Sequence, residues 1–88
     1  MLKRSWIINP KDNVAVLLEH AKKGDTIEAN GESITLLEDV EFAHKVLIVD
    51  TEPMSPVYKY GEEIGYLPKA ASKGTWIHNH IMSCDRGK

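Results

Sequence analysis

His78 and His80 are the side chains of this sequence best spaced to act together, in the run Lys73-Gly74-Thr75-Trp76-Ile77-His78-Asn79-His80. Residues i and i+2 of a strand point to one face, roughly 6–7 Å apart. Two neutral imidazoles so placed can converge on one divalent metal or on one anionic group. A catalytic metal usually takes three or more protein ligands, so His44 or a partner chain would have to supply the rest. In an arbitrary soluble protein, a His-x-His pair is more often surface decoration.

Three other groups could carry chemistry. His44 beside Lys45 opens an apolar run, where it could transfer a proton or bind a carboxylate; a hydrogen-bonded histidine at a strand start explains it as well. Lys45 would favour an anion and depress the neighbouring imidazole's pKa. Tyr60-Gly61-Glu62 reads as a tight turn that presents a phenol and a carboxylate, either of which could reach a substrate. Gly61 is expected to supply the positive φ there, and Tyr58 and Tyr60 to share one strand face. Trp76 reads as a core or interface anchor. Cys84 could be a metal ligand or a reactive thiol, though a thiol in a polar tail is more often neither, and His20 reads as a solvated imidazole.

These residues must be positioned by a small body. The 88 residues make one domain, with a polar tail at 83–88. A chain this short buries only about 60–65% of its unfolded surface, which leaves no room for a deep catalytic cleft of its own. The charge of −2 comes from 11 basic and 13 acidic residues, interspersed, which speaks against nucleic acid and acidic membranes as partners. One cysteine excludes an intramolecular disulfide. The basic N-terminus has an apolar run too short for a signal peptide, and no stretch reaches the ~20 residues that span a bilayer. The expectation is a soluble, cytoplasmic chain.

Short apolar runs separated by turn signals predict a small, mostly β module. Strands are expected at Trp6-Ile7-Ile8, at Thr26-Ile27-Glu28, and from Ser33 to Leu37 after the hairpin dipeptide Asn30-Gly31. Lys45 to Val49 is the candidate central strand. Val57 to Tyr60 and Glu63 to Leu67 flank a turn at Gly61, and Thr75 to His80 closes the domain. Residues 13–23 are ambiguous. Asp12-Asn13 before Val14, Leu17, Leu18 and Ala21, then Lys22-Lys23-Gly24, matches a capped amphipathic helix. Val14-Ala15-Val16-Leu17 also suits a strand, and a run this short does not arbitrate. Lys22-Lys23-Gly24-Asp25-Thr26-Ile27 and Ser72-Lys73-Gly74-Thr75-Trp76-Ile77 echo each other as Lys-Gly turns leading into strands.

Taken in order, the motifs resemble the small N-terminal domain of the altronate dehydratase family, a SAF-type β-clip. They are Ile8-Asn9-Pro10, Asp12-Asn13-Val14-Ala15-Val16, Lys23-Gly24-Asp25, Ile34-Thr35-Leu36, Glu38-Asp39-Val40, Phe42-Ala43-His44-Lys45-Val46, Val57-Tyr58-Lys59-Tyr60-Gly61-Glu62-Glu63-Ile64-Gly65 and Lys73-Gly74-Thr75-Trp76-Ile77-His78-Asn79-His80. Ala43 stands where relatives often carry Gly or another residue, and Ser55-Pro56 where they usually have a Lys-Gly-type turn. The ending Asn79-His80-Ile81 also departs from the usual one.

The resemblance implies a single SAF β-clip domain with short helical turns, and a strand at Val14–Leu18. It also implies a lyase of sugar acids such as altronate or galactarate, or of sulfolactate. Elimination β to a carboxylate needs a base, an enolate-stabilising electrophile and an acid for the leaving group. The implied cofactor is a divalent metal, Fe2+ first and Mn2+ or Mg2+ as alternatives, with His78 and His80 as its ligands here. His44, His78 and His80 are the catalytic candidates. Lys45, Tyr60 and Glu62 are the candidates for the substrate carboxylate and hydroxyls. The implied partner is a larger catalytic subunit. A SAF module that only binds or only supports structure is the competing expectation.

Overall fold

Residues 1–77 are described by the computed structural model of this chain. Nine strands follow one another: β1 (Leu2–Lys3), β2 (Ser5–Trp6), β3 (Val14–Leu17), β4 (Thr26–Ala29), β5 (Glu32–Thr35), β6 (Lys45–Leu47), β7 (Ser55–Lys59), β8 (Glu62–Leu67) and β9 (Trp76–Ile77). No helix occurs among the described residues; the expected short helical turns are plain turns. The strands form sheets ordered β1-β4-β5, β2-β3-β6-β9 and β7-β8. The fold is all β.

The middle sheet is buried on both sides, which explains how the sequence reads there. Along β3, Ala15 and Leu17 face one core while Val14 faces another; along β6, Val46 and Leu47 divide the same way. The first core lies between the β1-β4-β5 sheet and the middle sheet, with Ile27, Ile34 and Leu36 opposite Ala15, Leu17 and Val46. The second lies under the β7-β8 hairpin, where Val57 and Leu67 meet Val14, Leu47 and Ile77. A strand covered on both faces loses its polar alternation and reads as a continuous apolar run. That run mimicked one face of a helix. The strand implied by the family resemblance is the one that forms, as Val14–Leu17.

The expected central strand Lys45–Val49 forms only as Lys45–Leu47, interior to its sheet and paired with β3 on one side and β9 on the other. Asn30 and Gly31 have φ of 53° and 82°, a two-residue hairpin turn with both φ positive. The first expected strand is displaced: β2 ends at Trp6, and Ile7 turns in to pack against the first core. Of the expected closing strand, β9 covers Trp76–Ile77, and His78 to His80 lie outside the described residues.

The two Lys-Gly turns are structural equivalents. Gly24 and Gly74 have φ of 93° and 96°. Each turn is tied down by carboxylates: Lys22 and Lys23 donate their amides to Asp25 and Asp39 at 2.9 and 2.8 Å, and Lys73 donates to Asp50 at 2.9 Å. The turns differ in their surroundings. A Cβ at Gly24 would meet nothing within 4 Å, whereas one at Gly74 would overlap the Thr35 carbonyl oxygen. Gly24→Ala should therefore cost only the backbone strain of positive φ, about 1–2 kcal/mol. Gly74→Ala adds a backbone collision and should cost at least about 2 kcal/mol more. Urea denaturation of the two variants checks this, and equal losses would show that the close approach at Gly74 is not real.

Candidate functional site

β6 delivers two candidate residues to opposite sides of the middle sheet. His44, immediately before the strand, stacks on Trp76 of β9, with ring centroids 5.4 Å apart and planes 23° from parallel. Its carbonyl accepts the Leu17 amide at 3.0 Å, so the backbone at His44 is held in the sheet. The Trp76 amide donates to Glu38 at 3.0 Å, and its ring packs against the first core. Lys45 points the other way, toward the hairpin side, because successive residues alternate faces. The sequence placed these neighbours in one site; the pleat divides them.

His44 follows Ala43, whose φ is 72°. A left-handed alanine is strained, and a glycine would not be. Ala43 donates to the Leu17 carbonyl at 2.8 Å, which holds the turn and fixes where the imidazole emerges.

On the other face, Lys45 is half-buried beside Lys59. Desolvation first, and the Lys59 charge second, hold its ammonium below an ordinary lysine value of 10.5. Neither lysine belongs to any ion pair among the described residues, which join Met1 to Asp25, Lys3 and Arg4 to Glu19, and Lys73 to Glu32. Lys59 instead lies over the Tyr60 ring, 4.9 Å from its centroid. Glu62 is the register partner of Lys59 in the hairpin but forms no ion pair with it, so the two adjacent cations are suited to accept an anion. Lys59 was not among the sequence candidates, and no local motif marks it; only the docking of β7 onto the middle sheet brings it to Lys45.

The hairpin that carries Lys59 is fixed by Asp12 and Asn13. Asp12 is buried, and its carboxylate accepts the amides of Asn9, Tyr60 and Gly61 at 3.2, 3.1 and 2.8 Å. Asn13 accepts the Tyr58 amide through Oδ1 and donates from Nδ2 to the Pro56 carbonyl, both at 2.8 Å. These two contacts span the β-bulge between Val57 and Tyr58. The helix cap read from Asp12-Asn13 is thus a clamp on a distant hairpin.

Tyr60 also differs from expectation. It has left the strand with φ of 59°, beside Gly61 at 75°, so Tyr58 and Tyr60 do not share a strand face. The constraint is again Asp12, which draws both turn amides inward. Glycine suits this position, since its φ is positive and a Cβ would come within 2.8 Å of the Asn9 side-chain amide. The Tyr60 ring is exposed at the tip, and Glu62 is exposed at the start of β8. His20 is exposed and accepts the Phe42 amide at 3.2 Å.

His78, His80 and Cys84 lie outside the described residues. Among the described residues no three His, Cys, Asp or Glu side chains gather closely enough to hold a metal ion. These residues alone do not fit a divalent centre. A mostly apolar cleft of about 780 Å³ is lined in part by Leu37, Asp50, Leu67, Lys69 and Thr75. It contains none of the candidate residues, and its Asp50 is engaged by the Lys73 amide. Its size exceeds what the small core suggested, but it lies open to solvent and gathers no catalytic cluster. The chemistry is better sought at His44 and Lys45.

The family profile described as the altronate/galactarate dehydratase SAF domain matches residues 3–85. The chain belongs to this family. Altronate dehydratases of Escherichia coli (strain K12) and Bacillus subtilis (strain 168) are 34% and 33% identical to this SAF domain over 73 residues, 83% of the chain. Galactarate dehydratase (L-threo-forming) of Escherichia coli (strain K12) is 32% identical over 76 residues, 85% of the chain. The matched segment is only 15%, 15% and 14% of those relatives, respectively, and lies in their N-terminal region. The SAF domain therefore spans about one-seventh of the enzymes it resembles. No helix among the described residues is long and apolar enough to cross a membrane.

Two outcomes follow from this geometry. Asp12→Ala should strand three backbone donors and cost about 3 kcal/mol. Its amide shifts should concentrate at Asn9, Tyr60 and Gly61; changes spread evenly over the sheet would contradict a local clamp. Lys45→Met removes a cation the fold holds at a cost, so it should raise the urea midpoint at pH 7. Above the depressed folded-state pKa the unfolded chain binds more protons than the folded one, so wild-type stability rises with pH. The advantage of Lys45→Met should shrink as pH climbs toward 10.5. A pH-independent difference would show that Lys45 is not desolvated.

Proposed function

We propose that this SAF domain is the small, non-autonomous subunit of a sugar-acid hydro-lyase, working with a larger chain that supplies most of the catalytic body. The observation that carries this reading is the match of residues 3–85 to the SAF domain of altronate and galactarate dehydratases. The domain corresponds to about 15% of the altronate dehydratases it resembles. Support comes also from the Lys45–Lys59 spot, which suits the carboxylate of an aldonic or aldaric acid, and from the half-buried His44.

In this reading Lys45 holds the substrate carboxylate and Lys59 adds to the local positive potential. His44 serves proton transfer or carboxylate binding, its ring plane set by Trp76. His78 and His80 complete the contribution of this chain, as the residues that would meet a divalent ion, Fe2+ first and Mn2+ or Mg2+ as alternatives. Tyr60 and Glu62, at the hairpin tip, are proposed to meet substrate hydroxyls. The alternative substrate is sulfolactate, with sulfite as the leaving group, and the same carboxylate contact serves both.

The test is reconstitution. The chain alone should show no turnover of altronate, galactarate or sulfolactate, and activity should appear on mixing with its large partner. In that complex His78→Ala and His80→Ala should abolish turnover without preventing assembly. Lys45→Met should raise KM about tenfold or more with a smaller change in kcat, as loss of a ground-state carboxylate contact does. Full turnover in all three variants would leave a purely structural subunit.

A further inference from the structure

The hairpin covers only part of the middle sheet. Val14, Leu47 and Ile77 lie beneath β7 and β8 and are buried. On the same face the register continues as the row Trp6–Val16–Lys45, where Trp6 pairs with Val16 and Val16 with Lys45. Leu18 extends that face two residues beyond Val16, held beside β2 by donating its amide to the Arg4 carbonyl at 2.9 Å. Trp6 is 57% exposed and Leu18 38%, while Val16 and Lys45 are half-buried. A tryptophan left this open gives up much of the burial for which large aromatics are placed on sheets.

We infer that the row of Trp6, Val16 and Leu18 beside Lys45 is the surface on which the large body of a sugar-acid dehydratase packs. This rests on the reading above, that such a body works with this domain, and it names the contact. Length and direction favour that occupant. About six-sevenths of each relative lies beyond the matched segment, which sits in the N-terminal region of those enzymes. The chain passes from Thr75, beside Leu47, into β9, whose Ile77 lies opposite Lys45, so the last described residue is next to this row.

Charge favours it as well. Lys45 and Lys59 border the apolar row and belong to no ion pair among the described residues. The surface fits a partner with an apolar socket for Trp6 that leaves Lys45 and Lys59 unpaired for a substrate carboxylate. Docking there would close Lys45 and Lys59 into the boundary between the two bodies, where a substrate carboxylate would be shielded from water. Tryptophan is among the side chains most enriched at binding hot spots.

The experiment uses the whole 88-residue chain, affinity-tagged, to capture partners from an extract of its source, with mass spectrometric identification and titration calorimetry on the purified pair. A dehydratase-like chain should be captured. Trp6→Ser and Leu18→Ser should weaken its binding about tenfold or more, while Glu28→Ala, on β4 of the far sheet, should leave affinity within about twofold. Hydrogen exchange on the wild-type pair should show new protection at residues 4–6 and 16–18. This readout holds even if Trp6→Ser proves too unstable to titrate. Failure to capture any dehydratase-like chain would overturn the proposed function itself. Capture with unaltered affinity of both variants, or with protection confined to β4 and β5, would overturn only this surface. Sedimentation showing that the chain pairs with itself, and that Trp6→Ser abolishes the pairing, would assign the row to a second copy and overturn the inference as well.

Discussion

The fold depends on one buried carboxylate. Asp12 accepts three backbone amides, one from its own loop and two from the tip of a hairpin 48 and 49 residues away. A two-stranded hairpin is at best marginally stable by itself in water. Here it is held at one end by Asp12, along its length by the Asn13 amide, and beneath by Val57 and Leu67. Were the hairpin to lift, Val14, Leu47 and Ile77 would lose their cover, and Lys59 would leave Lys45. The second core and the cationic spot are therefore one cooperative arrangement. Charge-assisted bonds to backbone amides are well suited to this, since they tolerate burial that an unpaired carboxylate would not.

The same arrangement explains why Lys45 stands at a cost. Packing the hairpin against the middle sheet removes water from its ammonium and sets a second cation beside it. No acid among the described residues pairs with either lysine to offset this. Stability alone gives no reason for a lysine at this position, where a methionine would fill similar space without a charge. His44 is different in kind: its environment is aromatic, and Trp76 fixes the plane of the ring without supplying a charge.

Much of this was legible in the residues, and the failures share a cause. Asn30-Gly31 and the Lys-Gly turns could be read because their backbone requirements are local. The β6 strand could be read from its β-branched run. The segment at Val14–Leu17 could not, because burial on both faces erases the alternation that marks a strand. Asp12-Asn13 matched a helix cap since both uses need a short side chain that accepts backbone amides, and only the location of the donors separates them. Tyr60 was assigned to a strand because its positive φ is imposed from across the molecule by Asp12. Lys59 at Lys45 is likewise a product of tertiary docking. The split between His44 and Lys45 was available in principle, since neighbours in a strand must alternate.

Once the structure is in view, the family motifs divide into two kinds. Asn9, Asp12, Asn13, Asp25, Glu38, Asp39, Gly61 and Gly74 all serve backbone amides or close approaches of backbone. They specify the fold, and a resemblance built on them identifies a SAF domain without locating its chemistry. What remains among the described residues is His44 on one side of the middle sheet and Lys45 with Lys59 on the other. A domain this small uses nearly all its buried polar groups to hold its own turns in place. Its reactive side chains are consequently left at edges and uncovered faces, where each can meet a surface the domain does not contain. Among the described residues these side chains are dispersed, unlike acids, bases and cations gathered into one enclosed cleft.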